Sequence, residues 1–218
     1  MIRLENLSIN LKNNEVLVSK INIFIPSGSL VSITGTPASG KTKLFKIISL
    51  QEKAYTGNLF ILGKNINKLD RDEIASLHGE ISSVNETDDF INKLGVEDNI
   101  TLPLITVNKK KDEIEIALKE LASWLNIEKI LEKEILSLSN YEKKLVKFAR
   151  AIITRPRILI LDNFFTNIDS DTQKKISYLL LALKKIGTTV VTFSSVLNNS
   201  LLEFNESYKI QNLNLVKL

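Results

Sequence analysis

The sequence predicts an α/β fold organised on a parallel sheet, and two stretches carry the prediction. In the first, the β-branched, apolar run Leu30-Val31-Ser32-Ile33-Thr34 leads into Gly35-Thr36-Pro37-Ala38-Ser39-Gly40-Lys41-Thr42, after which Lys43 to Ile48 has helical spacing. In the second, Arg157 to Leu161 is a continuous apolar strand closing on Asp162, Asp171 to Lys185 reads as a helix, and Thr188 to Phe193 is a further β-branched strand. Strands alternating with helices in this way build parallel βαβ units. Composition permits it: 218 residues, 44% hydrophobic and 25% charged, suit one globular unit with ample core material.

The remaining elements follow in order. Ile2 to Leu7 and Val16 to Ile25 alternate as strands around a turn at Lys12-Asn13-Asn14, and Pro26-Ser27-Gly28 closes them. Gly57 to Lys64 is a strand pair with glycine turns. Asp70 to Leu77 is a helix with Asp70 and Glu73 in capping-box positions. Ile81 to Val84 is a short strand. From Asp112, a candidate cap, apolar Ile114, Ala117, Leu118, Leu121 and Leu125 recur at helical spacing, opening a helical section that ends near Arg155.

Charge and composition narrow the function classes. A net charge of +4 is spread along the chain, so nucleic acid is not an expected partner. The one tight basic run, Lys109-Lys110-Lys111, reads as a solvated loop, with an anionic membrane surface as the alternative. No stretch approaches the roughly 18 apolar residues of a membrane span, and the N-terminal residues do not form a signal peptide, so a cytoplasmic protein is expected. The absence of cysteine excludes disulfides and thiolate metal sites.

Residues 35–42 fit the spacing G-x-x-x-x-G-K-[ST] without a gap. Glycines let such a loop bend round a phosphate, and the N–H groups at the start of the following helix then point at the anion. Lys41 adds a positive charge for the outer phosphates and the Thr42 hydroxyl is a Mg²⁺ ligand. The apolar strand 158–161 ending in Asp162 supplies a second metal ligand. A nucleotide held with Mg²⁺ is the expected ligand.

Around that strand, Leu138-Ser139-Asn140-Tyr141-Glu142 and the residues to Ile152 resemble the L-S-G-G-Q/E signature and following helix of the ATP-binding-cassette (ABC) ATPases, and Asn167-Ile168-Asp169 resembles their D-loop. The order of the pieces covers nearly the whole chain. Met1-Ile2-Arg3 and the segment Val96-Glu97-Asp98-Asn99-Ile100 to Leu102-Pro103-Leu104 place the resemblance closest to the FtsE type, with LolD and MacB as relatives. It implies a P-loop NTPase (RecA-like) core with an antiparallel β subdomain over residues 1–88 and 156–218, and an α-helical subdomain over 89–155. It implies a head-to-tail homodimer or heterodimer with two ATP molecules between the phosphate loop of one subunit (residues 35–43) and the signature of the other. It implies an integral membrane (FtsX-like) subunit docked near residues 86–104, which places the chain peripherally on the inner face of the cell membrane.

Against the family pattern, several positions differ. The catalytic glutamate after Asp162 is Asn163, the histidine falls on Ser195, and the glutamine that touches metal and water falls on Glu86. The adenine-stacking aromatic falls on Leu11. In the loop a glycine is Ala38, which costs about 1–2 kcal/mol if the backbone there is left-handed, and Pro37 removes an N–H. Both signature glycines are replaced, by Asn140 and Tyr141. Simpler readings stand beside these: Ser139-x-x-Glu142 is a capping box, Asn163 a turn residue, Ser195 a strand-end hydroxyl, His78 an ordinary histidine, Arg150 a helix-surface residue, and Glu86 part of a solvated acidic loop with Asp88 and Asp89. The expected function is Mg·ATP binding with weak or absent hydrolysis. An active ATPase using substituted residues, with Glu86 taking the proton and Asn163 orienting the water, and a module that no longer binds nucleotide are the alternatives.

Overall fold

Alternation of buried and exposed side chains sorts the strands into two sheets. In the computed structural model, which describes residues 1–10, 16–53, 55–87, 89–195 and 202–218, the strands are β1 (Ile2–Asn10), β2 (Val16–Ile25), β3 (Leu30–Gly35), β4 (Tyr55–Ile61), β5 (Lys64–Asn65), β6 (Ile81–Val84), β7 (Ile158–Asp162), β8 (Thr189–Ser194), β9 (Glu206–Gln211) and β10 (Asn214–Lys217). The helices are α1 (Lys41–Ile48), α2 (Arg71–His78), α3 (Val96–Thr106), α4 (Lys111–Leu125), α5 (Asn140–Ile152) and α6 (Ser170–Lys185). An antiparallel sheet runs in the order β2-β1-β4-β5, and a six-stranded sheet in the order β10-β9-β3-β8-β7-β6. In the latter, β9, β3, β8, β7 and β6 are all parallel, as the βα alternation predicts, and only β10 is antiparallel.

Successive residues of the parallel strands feed opposite cores, because side chains alternate across a sheet. Ile158 and Ile160 of β7 join Val31, Ile33, Val191 and Phe193 in a core shared with α1 and the antiparallel sheet. Leu159 and Leu161 join Leu30 and Val190 in a second core, shared with α3 to α6. Residues of the expected helical subdomain therefore bury their apolar faces against the parallel sheet itself.

The expected capping box of α2 is present, with Glu73 N–H on Asp70 Oδ1 at 2.9 Å and Asp70 N–H on the Glu73 carboxylate at 3.2 Å. Three expectations change. β1 runs to Asn10 rather than Leu7, because Asn6 takes a left-handed turn (φ 48°) that makes a bulge, after which pairing with β2 resumes. Asp112 does not cap α4: the N-cap is Lys110, and Asp112 lies in the first turn, where its charge complements the helix dipole. The helical section opens earlier than Asp112, at α3, which holds Pro103 inside it. Strands β9 and β10, absent from the sequence reading, are short; their only deeply buried residues are Tyr208 and Ile210. Leu11, the turn at 12–14 and Asp88 lie outside the described residues.

Candidate functional site

The loop between β3 and α1 is shaped by its glycines. A Cβ on Gly35 would come within 2.6 Å of Ser39 Oγ, and Gly40 (φ 99°) would meet Val18 at 2.7 Å. Gly40 is the N-cap of α1 and offers no side-chain cap, so the leading N–H groups of α1 are open to an acceptor from outside the helix. Ala38 has φ 62°, the left-handed backbone under which it carries the strain anticipated from the sequence. Thr36, Pro37, Ala38 and Thr42 are exposed. The Ser39 hydroxyl is buried without a hydrogen-bond partner.

Lys41 is buried, and its ammonium donates to the carbonyls of Gly35 at 2.5 Å and Thr36 at 2.8 Å. Burial holds it below the ordinary lysine range, while the charge of Asp162 pulls the other way. The ammonium of Lys43, a residue expected on the nucleotide, pairs with Glu52. Asp162, at the end of β7, is only 7% exposed, and its Oδ1 has no hydrogen-bond partner. Burial, then the nearby Glu86 carboxylate, lift Asp162 to about 6, and Lys41 offsets part of that. A buried carboxylate oxygen with no donor beside it is costly unless something cationic reaches it. The exposed Thr42 hydroxyl follows Lys41 on α1, and carboxylate and hydroxyl oxygens are the donor types that suit a Mg²⁺ ion.

Beyond Asp162 opens a cleft of about 590 Å³, and Glu86, Asn163 and Ser195 all line it. The parallel register explains the meeting: Val84 pairs with Leu161, so the chain leaving β6 runs beside the chain leaving β7. Glu86 is the only carboxylate on the cleft wall among the described residues. Asn163 has φ 48° and its N–H bonds the Phe193 carbonyl at 2.9 Å, so it is a left-handed turn residue as well as a cleft residue.

The signature-like residues lie elsewhere, at the start of α5. Ser139 Oγ accepts from Glu142 N–H at 3.2 Å and the Glu142 carboxylate accepts from Ser139 N–H at 2.8 Å, a complete capping box. The Tyr141 hydroxyl donates to Asp169 Oδ2 at 3.0 Å and lies 2.7 Å from Thr172 Oγ1. Asp169 in turn caps α6, its Oδ1 accepting from the N–H groups of Asp171 and Thr172, and these bonds hold its carboxyl down at about 2.

Arg150, expected at the helix surface, lies on α5 with its guanidinium paired to Asp89 at 2.6 Å and its side chain 18% exposed. Lys144 and Lys147, which the sequence reading passed over, donate to the carbonyls of Thr166, on the cleft wall, and of Thr87, next to Glu86. The signal for Lys147 is in the sequence, as a lysine inside the apolar run Leu145-Val146-Phe148-Ala149.

Comparison with known proteins agrees with this arrangement. The family model described as ABC transporter matches residues 18–166. The methionine import ATP-binding protein MetN of Clostridium acetobutylicum is 29% identical over 192 residues, which cover 88% of this chain and 60% of that protein. The chain thus spans less than two thirds of the length of that relative. The lipoprotein-releasing system ATP-binding protein LolD of Aquifex aeolicus is 28% identical over 192 residues, covering 88% of this chain and 85% of that one. The dimeric post-hydrolysis structure of the ATP-binding cassette MJ0796, bound to ADP and Pi, superimposes with a TM-score of 0.89 at 26% identity, covering 100% of this chain and 99% of that one. The chain belongs to the ABC transporter family and has the ABC ATPase fold, a P-loop NTPase architecture.

Proposed function

We propose that this chain is the ATP-binding subunit of an FtsE-type ABC system, binding Mg·ATP and hydrolysing it weakly or not at all. The observation that carries the binding half is the unpaired, buried Oδ1 of Asp162 beside the buried Lys41, at the foot of a loop whose Ser39 hydroxyl is also unpaired. These are groups arranged for an anion and a cation together. The loop 35–42 would hold the phosphates, and Thr42, Asp162 and Glu86 the Mg²⁺. Bound Mg²⁺ would neutralise phosphate charge; the chain's own residues position the phosphates and meet the metal.

The catalytic half rests on the cleft, where Asn163 and Ser195 supply no base. Loss of a positioned base typically forfeits about 10²- to 10⁴-fold in rate. A second reading, an active ATPase, is favoured by one observation: Glu86 faces the same cleft as Asn163, so a carboxylate and a carboxamide are both present there with their roles exchanged.

In this reading residues 89–155 form a helical subdomain on a core of 1–88 and 156–218. Residues 86–104 dock an integral membrane (FtsX-like) subunit, and the chain works as a homodimer or heterodimer on the inner face of the membrane, in cell division or another envelope process. The names of the methionine import ATP-binding protein MetN and the lipoprotein-releasing system ATP-binding protein LolD, and the dimeric MJ0796 cassette, support it. Among the described residues no helix is long and apolar enough to cross a membrane, so a separate membrane subunit accords with the chain.

Nucleotide titration tests the binding half. ATP should bind more tightly with Mg²⁺, and Lys41→Ala should weaken ATP far more than adenosine, because it removes the charge facing the outer phosphates. Equal ATP affinity of wild type and Lys41→Ala would sink the assignment. Phosphate release at a rate typical of intact cassettes would favour the second reading.

A further inference from the structure

The sheet stops holding the chain at Val84, the last residue of β6 in register with β7. Glu86 lies just past that point and is exposed, so its place on the cleft wall depends on whatever grips the residues after it. The grip comes from α5. Lys147 reaches out of the buried run on that helix, and its ammonium donates to the Thr87 carbonyl, stands 3.8 Å from Asp89 Oδ1 and lies 5.5 Å from the centre of the Phe90 ring. One turn on, Arg150 pairs with Asp89 Oδ2 at 2.6 Å, donates to the Asp89 carbonyl at 3.2 Å and covers the same ring at 5.2 Å. One turn back, Lys144 donates to the Thr166 carbonyl at 2.7 Å, and Thr166 lines the cleft with Asn163.

Lys147 is the informative member. At 9% exposure it is an ammonium inside the apolar face of a helix, where any aliphatic side chain would be accepted without desolvating a charge. Its donor ends on a backbone carbonyl, the one kind of acceptor that fixes the path of the main chain rather than another side chain. Lys144 does the same at Thr166, and its charge also acts on Glu86. The two lysines are three residues apart, hence on neighbouring positions of one helix face, and that face joins Thr87 and Asp89 to Thr166 in the β7–α6 connection.

We propose that Lys147, assisted by Arg150, is the positioning residue for Glu86, and that with Lys144 it sets the separation of Glu86 from Asn163 across the cleft. This rests on the reading that Glu86 meets the metal of bound Mg·ATP. Lys147 itself acts through the Thr87 carbonyl and the Asp89 carboxylate.

The test compares the gain in ATP affinity on adding Mg²⁺, the ratio of Kd in EDTA to Kd in Mg²⁺, for the full chain in four forms: wild type, Lys147→Met, Glu86→Ala and the double variant. Alanine is used because a glutamine amide oxygen could still meet the metal. Groups that orient a metal ligand typically change metal affinity by 10- to 100-fold. Lys147→Met should therefore cut the Mg²⁺ gain about tenfold, with a much smaller change in EDTA, and Lys147→Arg, which keeps a cationic donor, should restore most of it. In the Glu86→Ala background Lys147→Met should add little, because both act through one group. A lysine that serves only stability would act alike in both backgrounds and in EDTA, and that outcome overturns the proposal. Asp89→Asn loosens the same grip from an exposed carboxylate, so it stands in if Lys147→Met does not fold; an unchanged Mg²⁺ gain there also overturns the proposal. Absence of ATP binding in the wild type would instead overturn the nucleotide reading, and the positioning role with it. Normal binding with a Mg²⁺ gain that survives Glu86→Ala would overturn the positioning role alone.

Discussion

The Tyr141 hydroxyl donates to Asp169 Oδ2 at 3.0 Å, joining the first turn of α5 to the residue that caps α6. Two segments that resemble surfaces offered to a partner subunit are here bonded to each other within one chain. Burial pushes the Tyr141 phenol above its ordinary range, so the hydroxyl stays a donor at neutral pH.

Tyr141→Phe deletes both hydroxyl contacts and leaves the ring. The site is partly exposed, so the expected loss is about 0.5–1.5 kcal/mol, or a few degrees in Tm for a chain of this size. Asp169 should go on capping α6 through Oδ1. Urea unfolding measures the loss, and an unchanged midpoint would show that the bond adds nothing to stability.

Asp162 gives a pH dependence. Its carboxyl is raised from 3.8 to about 6 in the folded chain, so between those values the folded state binds more protons than the unfolded state. Its contribution to stability therefore falls as pH rises through that window and is flat above it. Asp162→Asn should raise the stability of the nucleotide-free chain at pH 7 by roughly 1–3 kcal/mol and remove this component of the slope. Melting curves at pH 5 and 7.5 decide it; a variant less stable than wild type at both would show that the carboxylate is satisfied in the fold.

Asn163→Glu separates the two catalytic readings. The residue has φ 48°, which asparagine tolerates better than glutamate, so the variant should lose about 1 kcal/mol of stability. If the chain lacks a base, turnover should rise in Asn163→Glu and stay put in Glu86→Gln. Hydrolysis that vanishes in Glu86→Gln while ATP binding persists would identify Glu86 as the base.

Ala38→Gly relieves the left-handed strain in the loop but adds disorder to the unfolded chain. The first is worth about 1–2 kcal/mol and the second about 0.5–1, so a gain of up to about 1 kcal/mol is expected. A loss on chemical denaturation would mean that the alanine methyl makes contacts outweighing its strain.

Local patterns carried most of the fold. The strand-loop-helix at 30–48, the capping boxes at Asp70 and Ser139, and the apolar strand ending in Asp162 each depend on residues within a few positions of one another, and the structure holds them all. The same locality explains the misses. Asn6 looks like a strand end until a partner strand shows that pairing resumes beyond the bulge, and β9 leans on β3, distant in sequence, with β10 folded back on it.

For the site, the sequence by itself determined which chemical groups are present: a phosphate loop with Lys41 and Thr42, a carboxylate at 162, and a carboxamide and a hydroxyl at 163 and 195. Only the tertiary structure decided that Glu86 joins Asn163 and Ser195 on one cleft, and that Arg150 of α5 pairs with Asp89. These relations are set by parallel strand register and by the packing of α5 across the sheet. Both join residues tens of positions apart, and the direction in which a side chain points there depends on the neighbour it meets.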